Sequence, residues 1–117
     1  MSVGIGAFVV GPCVERRIGP AAFAAMSLDT QWRDAGWCER HGLYSTVCPD
    51  PSALDPAVGE LVQVLAGYSP EAMRELKTVF WSGTEDWENL MARRAEVSGR
   101  LVMSEFTRNA IRRFNEA

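Results

Sequence analysis

Little in this 117-residue sequence marks an active site. There is one histidine, His41, and nothing beside it completes a familiar catalytic or metal signature. The three cysteines, Cys13, Cys38 and Cys48, are odd in number and irregularly spaced. They read as reduced thiols of a cytosolic protein and not as a disulfide framework. No apolar run approaches the ~20 residues that span a bilayer. The apolar first twelve residues lack a basic leader and a cleavage site, which argues against a signal peptide. A net charge of −3 and a pI near 5.1 supply no net basic face for nucleic acid. Arg93-Arg94 and Arg112-Arg113 read as solvated helix faces. Gly4-Ile5-Gly6 is followed by neither a dinucleotide fingerprint nor a P-loop lysine, so these glycines read as points of close backbone approach. No segment repeats at a fixed period or is low in complexity.

What is present is a helical pattern. Hydrophobic residues make up 47% and charged residues 23%, as in a soluble globular chain and unlike a disordered one. The length suits at most one domain. The opening M-S-V-G-I-G-A-F-V-V-G-P is small and apolar, and Val3, Ile5, Phe8, Val9 and Val10 require cover. Pro12 fits the first turn of a short helix over 12–18 that Gly19 ends. A second follows Pro20, with Phe23, Met26 and Leu28 toward a core. Asp29 or Thr30 is expected to cap the next helix, which carries Trp32, Ala35, Cys38 and Glu39. Gly42 is the expected left-handed turn residue after it, and 43–47 suggests a brief extended segment. Prolines in C-P-D-P-S-A-L-D-P then exclude continuous helix.

Three better-punctuated helices follow. Asp55-Pro56 is expected to open one with Val58, Leu61, Val62, Leu65 and Ala66 in a stripe, ending at Gly67. Ser69-Pro70 opens the next, with Glu71 near the positive end of its dipole and Met73, Leu76 and Phe80 on one face up to Gly83. Thr84 is expected to cap the third, with Glu85 and Asp86 in its first turn and Trp87, Leu90, Met91, Ala95, Ser98, Leu101 and Val102 along one side. Ser104 reads as a break or cap before a last short helix bearing Phe106, Ala110, Ile111 and Phe114.

Residues 32–47 concentrate two cysteines, the histidine and two of the four tryptophans. Cys38-x-x-His41 with Cys48 offers soft ligands for zinc, but a structural site needs four correctly spaced ligands. As a nucleophile pair, Cys38 and His41 lack an orienting third group and an oxyanion donor. Trp37 and Cys38 therefore read as packing. Glu39 and Glu71 are carboxylates expected on solvated faces. No catalytic residue and no metal ligand is expected from spacing.

Four stretches together resemble the C-terminal portion of the crotonase (enoyl-CoA hydratase/isomerase) superfamily. Val3-Gly4-Ile5 with Arg16-Arg17-Ile18-Gly19 is similar to a V-G segment and an R-x-I/V-G ending. Asp34-Ala35, Cys38, Gly42-Leu43 and Val47 resemble A-x-x-A-x-x-x-G-L-V-x-x-V, with Cys38 at the second alanine and Tyr44 at a valine. The run from Ser69 through Lys77 is similar to S-P-x-A-x-x-x-x-K, and Ser104-Glu105-Phe106 with Ala110-Ile111 and Phe114 to the closing S-x-D-x-x-E-G-I-x-A-F. G-I-G-A-F-V-V-G-P and K-T-V-F-W-S-G-T are nearest to a methylglutaconyl-CoA hydratase-like branch.

The resemblance implies a mainly α chain, the C-terminal part of a crotonase-like fold with at most one or two short strands. Residues 1–48 would be a remnant of the spiral core and 49–117 a helical trimerisation region. It implies coenzyme A thioesters as the parent family's substrates, with no cofactor. The family's oxyanion hole and both catalytic glutamates would lie before Met1, so the chain is expected to be non-catalytic alone. A-F-V-V-G-P also replaces the family's P-G-x-G-G helix start. Phe80, Trp81, Trp87, Leu90, Met91, Phe106 and Phe114 would contribute to the trimer interface or cover the acyl-CoA pocket, and Lys77 has no assigned chemistry. Partners would be further copies or a chain carrying the missing N-terminal half, with neither nucleic acid nor membrane. The alternative is a non-catalytic helical module for oligomerisation.

Overall fold

The computed structural model describes residues 2–116. Among them the chain is mainly α, with 69% helix and no strand. The helices are α1 (Gly11–Leu28), α2 (Ala35–Arg40), α3 (Pro51–Ala66), α4 (Pro70–Trp81), α5 (Trp87–Val102) and α6 (Glu105–Asn115). They fall into two compact units, one of residues 1–45 and 86–117, the other of residues 46–85.

In the first unit, α1 is two helices joined at a kink. Gly19 has φ 78° and ψ 163°, a backbone region open essentially to glycine alone, and Pro20 restarts the helix. The break expected at Gly19 is therefore present. Helix α2 begins later than Asp29 or Thr30 would place it. The carboxylate of Asp34 accepts the Trp37 amide at 2.6 Å and caps it. Asp29 is occupied otherwise, accepting the Gln31 amide and pairing with Arg33. These contacts make a separate turn ahead of the helix.

Gly42 ends α2 as its residue type suggests, with φ +77°. The amide of Gly42 donates to Glu39 O at 2.9 Å and that of Leu43 to Cys38 O at 2.8 Å. This is the paired 5→2 and 6→1 closure of a Schellman ending. The extended segment expected over 43–47 is not a strand, because its backbone is used locally. Tyr44 also donates to Cys38 O, and Arg17 reaches Leu43 O at 3.4 Å and Ser45 Oγ at 2.8 Å.

Helices α5 and α6 form the principal packed pair. Helix α5 starts at Trp87, two residues past the predicted opening. Thr84 instead donates its hydroxyl to Trp81 O at 2.7 Å, closing the helix before it. Ser104 caps α6 as predicted, accepting the Thr107 amide at 3.2 Å.

In the second unit, α3 starts a turn before the Asp55-Pro56 pair predicts. Asp50-Pro51 makes the same cap-plus-proline pattern upstream, and the Asp50 carboxylate accepts the Ala53 amide at 3.0 Å. The helix then runs through Pro56, whose missing N–H forfeits one intrahelical bond. Ser69 caps α4 through the Ala72 amide, as predicted.

Candidate functional site

The surface, more than any cleft, is the distinctive feature of this chain. Among the described residues only two hydrophobic side chains are buried, Cys38 and Ala110. A chain of this length ordinarily buries well over half of the surface that its unfolded form exposes. Large apolar side chains on α3, α4 and α6 instead face solvent.

The best-packed place is where the N-terminal segment meets α6. Gly4 has φ +80°, and a Cβ there would stand 2.5 Å from Thr107 Oγ1 and 2.8 Å from Phe106 Cδ1. Among the described residues Thr107 is the one fully buried side chain, and it receives the Ser104 hydroxyl at 3.2 Å. The reading of Gly4 as a point of close approach holds, whereas Thr107 was not legible: a threonine in a polar helix carries no signal of burial. Arg94 corrects the solvated reading of Arg93-Arg94. It is half-buried on α5 and donates to Phe8 O at 3.4 Å, while Gly11 lies flush against Phe23 and Arg94. Arg93 is exposed and pairs with Asp86 at 3.2 Å. Asn89 and then Arg93 hold the Asp86 carboxyl below its usual range. Cover over the apolar N-terminal segment is partial: Ile5 and Phe8 are half-buried, and Val3, Val9 and Val10 are exposed.

The seven residues expected to make assembly or pocket contacts are distributed over both units. In the first, Trp87, Leu90 and Met91 line one side of α5 and are half-buried, while Phe106 is exposed beside Gly4 and Phe114 is 80% exposed. In the second, Phe80 and Trp81 are exposed at the end of α4, and every large apolar residue of α3 is exposed as well. Glu39 and Glu71 are exposed, as expected.

The cysteine–histidine junction resolves into packing. Cys38 is buried, while His41 is exposed and stacks on Trp37 with ring centroids 4.0 Å apart. Its Nδ1 lies 2.9 Å from Trp37 O. The guanidinium of Arg33 sits 5.3 Å from the Trp37 ring centroid. These three side chains, with Ile18, Ala21, Ala22 and Ala25 of α1, line an open groove of about 480 Å³. The i, i+4 spacing of Trp37 and His41 was a signal for that stack. Arg33 lies before the helix, so its place beside the ring was not readable. Trp32 is 99% exposed and takes no part in it. Among the described residues no three His, Cys, Asp or Glu side chains are grouped to hold a metal, and no helix is long and apolar enough to cross a membrane. Comparison with protein-family models, with curated proteins and with solved structures finds no match to this chain.

Proposed function

We propose that this chain is the C-terminal helical segment or a subunit of a crotonase-type acyl-CoA hydratase or isomerase. It supplies oligomer contacts and cover for an acyl-CoA pocket, and it is not catalytic by itself. The observation that carries the assembly half of this reading is the uncovered apolar surface of α3, α4 and α6. Exposed apolar faces of that kind, on each unit taken by itself, mark interaction sites. The acyl-CoA half rests on the order of sequence motifs, from Val3-Gly4-Ile5 to the Ser104–Phe114 ending. Partners on this reading are further copies of the chain, in trimer-type contacts, or a chain bearing the N-terminal half of the parent family. No cofactor is needed, since the thioester itself is the reactive group. Three free thiols suit a cytoplasmic location.

The second reading is a helical oligomerisation module with no tie to acyl-CoA, and the same exposed faces favour it. Sedimentation velocity of the full chain tests the shared half: concentration-dependent association is expected, and a compact monomer refutes both readings. Titration with crotonyl-CoA, followed by tryptophan fluorescence, separates them. Saturable quenching supports the acyl-CoA reading, and its absence leaves the module. No hydration of crotonyl-CoA or 3-methylglutaconyl-CoA is expected, and turnover abolished by a substitution within this chain overturns the non-catalytic assignment.

A further inference from the structure

Helix α3 bears an apolar seam with a defined period. Leu54, Val58, Leu61 and Leu65 follow one another at spacings of four, three and four residues, and Tyr68 continues the series just past the helix end. This is the alternation of a heptad: Leu54 and Leu61 at d positions, Val58 and Leu65 at a positions. All five side chains are exposed, between 40% and 56%. Pro56 and Gln63 occupy the f positions, on the side away from the seam, so the proline does not interrupt it. Val62 and Val64, also exposed, flank the seam where coiled coils often carry charge.

We infer that this seam pairs α3 with α3 of a second copy, antiparallel, which rests on the self-association common to both readings above and adds a two-fold contact to it. A heptad seam is self-complementary. A two-fold arrangement sets Val58 of one copy against Leu61 of the other, and Leu54 against Leu65, so each contact occurs twice. Charge decides the direction. The charged side chains of α3 and its cap, Asp50, Asp55 and Glu60, are all acidic and lie in its N-terminal two thirds. A parallel pair would bring Asp50 of one helix toward Asp55 of the other. The antiparallel pair separates those acids, places Asp55 beside valine, and opposes the two helix dipoles. The seven exposed apolar side chains offer at most on the order of 600 Å² per copy, so full cover of the seam and its flanking valines in a dimer comes to about the 1,200 Å² at which specific interfaces begin.

The test is sedimentation equilibrium of the full chain and of three single variants, Leu61→Asp, Gln63→Asp and Val79→Asp, with helix content checked by circular dichroism. Leu61→Asp puts a carboxylate into the middle of the seam on both copies and is expected to weaken association at least 100-fold. Gln63→Asp, on the opposite side of α3, and Val79→Asp, on α4, are expected to change it less than threefold. Leu65→Lys gives a second reading should Leu61→Asp lose helix. Association of both seam variants like that of the parent chain overturns the seam while leaving the assembly reading intact. Dissociation by Val79→Asp in place of Leu61→Asp moves the interface to α4 and overturns it equally. A monomeric parent chain overturns both.

Discussion

Replacing Gly4 by alanine separates two costs that glycines usually combine. The first is conformational: at φ +80° an L-residue is disfavoured by about 1–2 kcal/mol. The second is steric, since the new Cβ would lie 2.5 Å from Thr107 Oγ1 and 2.8 Å from Phe106 Cδ1. Phe106 is exposed and can swing aside, but Thr107 is fully buried and cannot. Overpacking of that kind costs about 1–3 kcal/mol. Gly42→Ala is the internal control. It shares a φ of +77°, yet its Cβ would meet only Arg17 O, at an ordinary 3.6 Å. Gly4→Ala is therefore expected to destabilise by roughly 2–4 kcal/mol, and Gly42→Ala by about 1 kcal/mol once the reduced freedom of the unfolded chain is credited. At fixed protein concentration these correspond to melting points lower by roughly 10–20 °C and about 5 °C. Adding Thr107→Ala to Gly4→Ala removes the clashing oxygen and should recover about 1 kcal/mol relative to additivity. The assay is urea and thermal unfolding by far-ultraviolet circular dichroism. Equal melting points for the two alanine variants, or strict additivity in the double variant, would refute the docking of Gly4 on Thr107.

Two further predictions concern protonation and thiol chemistry. The Ser52 hydroxyl and the Ala53 amide bond to the Asp50 carboxylate and hold its pKa below the usual range. Its stabilisation of α3 is then complete above the ordinary carboxylate pKa and is lost as pH falls through the lowered native value. Asp50→Asn keeps the cap without titrating, so the parent chain should lose more helix than the variant as pH falls from the ordinary carboxylate pKa of about 4 through the lowered native value; identical acid profiles would remove Asp50 from this role. Cys13 is exposed and Cys38 buried, so a thiol reagent should label Cys13 at least tenfold faster in the native chain, with the difference abolished in denaturant. Comparable native rates for the two would contradict the packing of α2.

How much was readable depends on the range of the interaction concerned. Ser69 and Ser104 bond to amides three residues on, and Gly42 closes α2 through bonds within five residues. Such endings are written in adjacent residue types, so they could be anticipated. The misplaced starts of α2, α3 and α5 arose where two local solutions competed. Asp34 prevailed over Asp29, Asp50-Pro51 over Asp55-Pro56, and Thr84 turned back to Trp81 in place of opening the next helix. A short β-branched stretch at 43–47 also looks extended until Arg17, 26 residues away, takes its carbonyl.

The sequence by itself determined a mainly helical chain, most of its helix ends, and the periodic faces of α3 to α6, since each depends on residues within a turn or two of one another. Only the tertiary structure decided which faces are covered. Periodicity states that Leu54, Val58, Leu61 and Leu65 share a side but not what lies against it, and here they face solvent. Thr107, with no apolar signal at all, became the most buried side chain among the described residues because Gly4, 103 residues earlier, has no Cβ to hold the two segments apart. Burial belongs to pairs of surfaces brought together from distant parts of the chain.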